Sequence, residues 1–196
     1  MAYIEKKNLK LVIDDLSMLL VQKTPIVVAS GETPAITIAP DYELPVTVDT
    51  LQTTGGEPTI NHYKVIGQDG DWTSSSTPGE WTVQFTVPTL HTDVLKFAFG
   101  ESNVKILGTI TAADFAETGK HWEGVGVGLE SKKITCSLVI MNGAKDKMVI
   151  FRNVDLWAHV MKEANGDPYC VQFNGTVVSD GSDDMMILKK VVTQGG

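Results

Sequence analysis

Residues 80–100 read EWTVQFTVPTLHTDVLKFAFG, and the change of period inside this stretch decides the fold class. Trp81, Val83, Phe85 and Val87 alternate with Thr82, Gln84 and Thr86, the two-residue period of a strand with one buried face. Pro88 then removes a ladder donor. Beyond it Leu90, Val94, Leu95, Phe97 and Ala98 fall at helical spacing, with Thr89 placed to cap the start and Gly100 to end the helix at positive φ. A strand therefore feeds one short helix. His91 and Asp93 lie in its first turn, about 200° apart on an ideal helix, so the spacing predicts capping and dipole compensation instead of catalysis.

Working outward, the rest of the chain reads as short strands. SMLLVQ (17–22), PIVVAS (25–30), AITIAP (35–40) and PVTVDT (45–50) are β-rich runs separated by Gly, Pro and Thr, and NLKLVID (8–14) alternates ahead of them. Residues 51–80 form a long region of Gly, Ser, Thr, Pro and Asp with one strand expected at HYKVIG (62–67). After the helix, NVKILGTI predicts a strand, TAADFAETG a short helix capped by Thr111, and GVGVGLES a small-residue strand, since no Gly-Lys-Ser/Thr follows to make a phosphate loop. KKITCSLVIMNGAKDKMVIF is a hairpin with Ile134, Cys136, Leu138 and Ile140 on one face and NGAKD as its turn. Strands follow through Leu156, Ala158 and Val160, then Tyr169, Val171 and Phe173, then Met185–Leu188, with a loose tail expected from about residue 189. The expectation is an all-β sandwich or barrel with one flanking α-helix, a single domain over 1–196.

Composition narrows the function classes. The 196 residues are 42% hydrophobic and 20% charged with a net charge of −8, and residues 41–100 carry Lys64 and Lys96 against eight acids, net −6. Such a surface does not hold nucleic acid by phosphate neutralisation, which needs clustered Lys and Arg. No apolar run reaches the roughly 20 residues of a membrane span and no signal-peptide core precedes the first charges, so the expected compartment is a cytoplasm. Cys136 and Cys170 sit in apolar strands and read as reduced core thiols, a pairing between them being left open.

The chemical motifs are sparse. His62, His91, His121 and His159 stand one to a segment without metal-ligand spacing, and QDGDW (68–72) and GSDD (181–184) read as turns, so neither metal nor cofactor is expected. No nucleophile elbow or acid–base pattern converges, and no catalytic residue is assigned. Trp81 is placed on a buried face and Trp157 in a strand, which leaves Trp72 and Trp122 as exposed aromatics.

The opening MAYIEKKNLKLVI, the unit WTVQFTVPTLHTDVLKFAFG and the late KKITCSLVIMNGAKDKMVIFRNVDLWAHVM with GDPYCVQFNGTVVSDG together resemble the major tail tube proteins of long-tailed bacteriophages, over about three quarters of the chain in layout. GVGVGLE and SSSTPG depart from that pattern. The resemblance implies a structural virion protein, from a phage or a prophage, that forms hexameric rings stacked into a tube. DNA passes through such a tube without specific binding, and the partners are the protein itself and other tail proteins. Under that reading Gln68, Asp69, Gly70, Asp71 and Trp72 are the candidate contact loop between rings, and Asp41, Glu43, Asp49 and Glu57 the candidate acidic lining of the lumen. The competing class is a β-sandwich module that binds carbohydrate or another ligand, for which an exposed aromatic platform is the discriminating feature.

Overall fold

A computed structural model describes residues 13, 16–29, 35–47, 49–67, 69–110, 121–162, 164–181 and 183–191. Among them the chain is all-β with one flanking helix, and it divides into two compact units, each assembled from separate stretches of sequence.

The first unit comprises residues 1–45, 136–153 and 179–196. Its sheet contains β1 (Leu16–Gln22), β4 (Tyr42–Leu44), β11 (Ile134–Asn142), the first half of β12 (Lys147–Met161) and β14 (Met185–Lys189). β1 lies between β4 and β11, pairing Leu19 with Leu44 on one side and with Ile140 on the other. β14 pairs with β12 from Lys147–Lys189 to Phe151–Met185. The short strands β2 (Val28–Ala29) and β3 (Ala35–Ile36) pair with each other. Ile26, Val139 and Ile150 form a buried cluster packed by Leu20, Ile36, Ile38 and Met186.

The hairpin between β11 and β12 turns where the sequence predicts. Asn142 explains why: its Oδ1 accepts from the Asp146 and Lys147 N–H groups, and its Nδ2 donates 2.7 Å to Asp146 Oδ1. A buried Arg152 ties three segments of this unit together. Its Nε donates to Ile26 O at 2.9 Å, Nη1 to Asp183 O at 3.2 Å and Nη2 to Asp180 Oδ2 at 3.3 Å. Ser137 Oγ donates to Arg152 O and accepts from Ile26 N, so the Ser137 hydroxyl and the Ile26 N–H satisfy each other.

The second unit comprises residues 46–135 and 154–178. Its sheet runs from the second half of β12 to β13 (Cys170–Val177), β8 (Trp81–Val87) and β5 (Gln52–Gly55). The opening stretch folds as read, with β8 followed by helix α1 (Thr92–Phe99). Phe85 stacks on Phe173 with ring centroids 4.9 Å apart, and Phe97 of the helix lies 5.5 Å from the same ring, so three aromatics bind helix to sheet. Val83, Phe85, Val171, Phe173 and Leu156 are all 2% exposed or less.

Several expectations are corrected here. The helix cap is His91, whose Nδ1 accepts from Asp93 N at 3.3 Å, while Thr89 Oγ1 accepts from His91 N. His91 precedes the helix instead of belonging to it, and its ring therefore meets the Asp93 carboxylate at 3.5 Å instead of pointing 200° away. Residues 45–47, 49 and 50 form no strand; the chain pairs earlier, at β4, and Asp49 turns at φ 64°. Residues 51–80 hold three strands where one was expected, β5 and a two-stranded ribbon of β6 (Thr59–Tyr63) with β7 (Thr73–Thr77), and the expected HYKVIG strand starts earlier and ends at Tyr63. Trp81 is 39% exposed, since it stands at the end of β8 with its ring laid over Gly55, its cross-strand partner. GVGVGLES does form a strand, β10 (Trp122–Val127), paired with β9 (Val104–Ile110). The predicted helix at 111–119, most of the NLKLVID strand and the tail after residue 191 lie outside the described residues.

Candidate functional site

Sequence chemistry dictates where the β6–β7 ribbon leaves the sheet. β5 ends in Gly55-Gly56 and β8 is preceded by Pro78-Gly79, and here the two backbones cross: Gly56 N donates 2.8 Å to Glu80 O, and a Cβ added at Gly79 would stand 2.3 Å from the Gly56 carbonyl carbon. Only glycine allows that approach. Glu57-Pro58 on one strand and Pro78 on the other then stiffen the exit.

All ten residues of β6 and β7 are exposed. The pairing runs from Thr59–Thr77 to Tyr63–Thr73, and Trp72 N closes the ladder by donating 2.8 Å to Tyr63 O. Tyr63 Oη lies 3.4 Å from Ser75 Oγ, and His62 Nδ1 sits 2.5 Å from Asp71 Oδ2, bracing the tip across the two strands. Gly67 and Gly70 turn the tip at φ 87° and 112°. The tip's apolar side chains face solvent: Ile66 fully, Trp72 at 65%, Tyr63 and Ile60 at just over half. An isolated two-stranded ribbon is marginal in water, and solvent-facing apolar groups at its tip add nothing to its stability.

The candidate contact residues Asp69, Gly70, Asp71 and Trp72 all occupy this tip; Gln68 lies outside the described residues. The candidate lumen acids are divided between the two units. Asp41 and Glu43 belong to β4 and its approach in the first unit, where Asp41 Oδ2 accepts from Lys23 N at 2.7 Å; Asp49 and Glu57 belong to the second unit, flanking β5. All four are exposed. A second ribbon, β9–β10, also presents apolar groups, with Ile106 at 76%, Trp122 at 57% and, just after it, Leu129 at 66% exposure.

One surface escaped the sequence reading. The face of the second unit's sheet opposite the Phe85–Phe173 stack is built of cross-strand rows: Trp157–Asn174–Gln84–Gln52 and Asp155–Thr176–Thr82–Thr54. Asp155 is committed within it, its Oδ1 accepting from Thr135 Oγ1 at 2.6 Å and its Oδ2 from Lys133 Nζ at 3.0 Å. Desolvation works to raise the Asp155 pKa, but the hydrogen bonds from Thr135 and Lys133 and the lysine charge outweigh it and hold the carboxyl below its ordinary value. The signal was the polar alternation of residues 82–86 and 172–176; which rows they join needed the register.

Among the described residues no three His, Cys, Asp or Glu side chains group as metal ligands, and no helix is long and apolar enough to cross a membrane. No protein-family model and no curated protein matches the chain.

Proposed function

We propose that the chain is a structural subunit that assembles with copies of itself through the β6–β7 arm, as the tail tube of a phage or prophage, in hexameric rings stacked around a passage for DNA. The observation that carries this reading is the arm: a ribbon anchored by a Gly–Gly crossing, exposed along its whole length, and tipped with Ile66 and Trp72. A neighbouring copy that covers the tip removes its apolar surface from water, and the backbone edges of an exposed ribbon offer unpaired donors and acceptors to the same neighbour. Identical subunits joined head to tail close into rings or stack into filaments, depending on the rotation between them. The net charge of −8 supports free passage of DNA, since a polyanion gains nothing from a surface poor in clustered cations.

The test is negative-stain electron microscopy with sedimentation velocity on the concentrated protein, beside a variant in which residues 58–78 are replaced by Asn-Gly. Rings or tubes from the parent and a folded monomer from the variant are the expected result. A parent that stays monomeric to its solubility limit, or a variant that assembles equally well, overturns it.

A further inference from the structure

The polar face of the second unit's sheet carries an open groove of about 430 Å³, lined by Thr82, Gln84, Trp157, Asn174 and Thr176. Trp157 is 40% exposed and lies beside Asn174 in register, which in turn lies beside Gln84. Gln84, Asn174 and Thr176 are half-buried, yet among the described residues none of them makes a side-chain hydrogen bond. The groove therefore joins one aromatic face to a row of carboxamides and hydroxyls with unused donors and acceptors, held on paired strands instead of a loop.

From this geometry we propose a binding subsite for a neutral saccharide, with one pyranose ring stacked on the Trp157 indole and its hydroxyls bonded to Gln84, Asn174 and Thr176. Each part of the chemistry selects that ligand class. An indole offers a flat apolar face for the C–H face of a sugar, while amides and hydroxyls both give and accept the hydrogen bonds that sugar hydroxyls need. Charge argues against an anionic ligand: the one lysine bonded to these rows, Lys133, is already paired with Asp155, which leaves its charge largely compensated. A purely apolar partner would strand the half-buried amides without water or partner, at a cost. The subsite goes beyond the assembly reading and does not rest on it, since Trp157 is in the sheet and the arm is a separate ribbon.

The experiment labels the full chain with 5-fluorotryptophan and follows the four indole signals by fluorine NMR, assigning them with Trp157→Phe and Trp72→Phe. The probes are cellohexaose, chitohexaose, maltohexaose and xylohexaose. At least one of them is expected to move the Trp157 signal saturably while the Trp72 signal stays in place. Trp157→Ala, which removes the reporting indole and is therefore titrated by isothermal calorimetry beside the parent, should weaken that binding about tenfold or more, as truncation of an aromatic anchor does. Gln84→Ala, which removes a side chain with no internal bond, should weaken it while leaving the thermal unfolding midpoint unchanged. The proposal is overturned if no probe moves the Trp157 signal up to about 10 mM, or if binding survives both substitutions. It is also overturned if the signal moves with protein concentration alone, which would assign the face to a second copy of this chain.

Discussion

Trp72→Ala tests the arm with the smallest change to the fold. Trp72 is 65% exposed at the ribbon tip, and its contact with the rest of the chain is chiefly the backbone bond from its N–H to Tyr63 O, which alanine keeps. An aromatic side chain presents about 200 Å², so roughly 130 Å² of Trp72 is open to a partner. At about 25 cal/mol per Å², burying that area in the proposed contact between copies would contribute about 3 kcal/mol. That corresponds to about a 100-fold change in association constant. The variant should therefore need about 100-fold more protein to assemble, read from sedimentation velocity across a dilution series and from particle counts in negative stain. Its own stability should stay within about 0.5 kcal/mol of the parent, because an exposed side chain outside the core is being truncated. A variant that folds and assembles at the parent's concentration refutes the reasoning, since the tip would then not be the surface that is covered.

Two further outcomes concern the second unit's sheet. Phe173→Ala removes a fully buried ring that touches both Phe85 and Phe97, and should cost about 3–5 kcal/mol in urea unfolding, a value under about 1 kcal/mol showing that the three rings do not form the joint between helix and sheet. Asp155→Asn should destabilise the protein by about 1 kcal/mol at neutral pH. The Asp155 pKa is lowered in the fold, so its contribution is present above the ordinary value of 3.8 and is lost as pH falls through the lowered one. The gap between parent and variant should accordingly close below pH 3.8, and a gap that persists unchanged in acid would place the stabilisation elsewhere.

Local signals determined most of the elements. The two-residue period of residues 81–87, the helical spacing after Pro88 and the Asn142 turn all act within a few residues, so β8, α1 and the β11–β12 hairpin were legible. For Trp81 the deciding contact comes from far along the chain. Trp81 alternates with core residues, yet whether the end of a strand is covered depends on its neighbour, and here that neighbour is Gly55. Val65 and Ile66 look like strand interior by composition, but they lie beyond the end of β6 and both are exposed. Helical spacing sets His91 and Asp93 about 200° apart, and one residue's difference at the cap brings their side chains together.

The site divides in the same way. That residues 69–72 form an exposed acidic turn carrying Trp72 follows from the sequence alone, because Asp and Gly favour turns wherever they stand. That the turn ends an arm fixed by two glycines 23 positions apart, Gly56 and Gly79, required the backbone crossing to be seen. The row of Trp157, Asn174, Gln84 and Gln52 is assembled from four separate strands by antiparallel register, and a shift of one residue would turn every member to the other face. Sequence determines which side chains alternate; only the pairing of strands decides which of them meet.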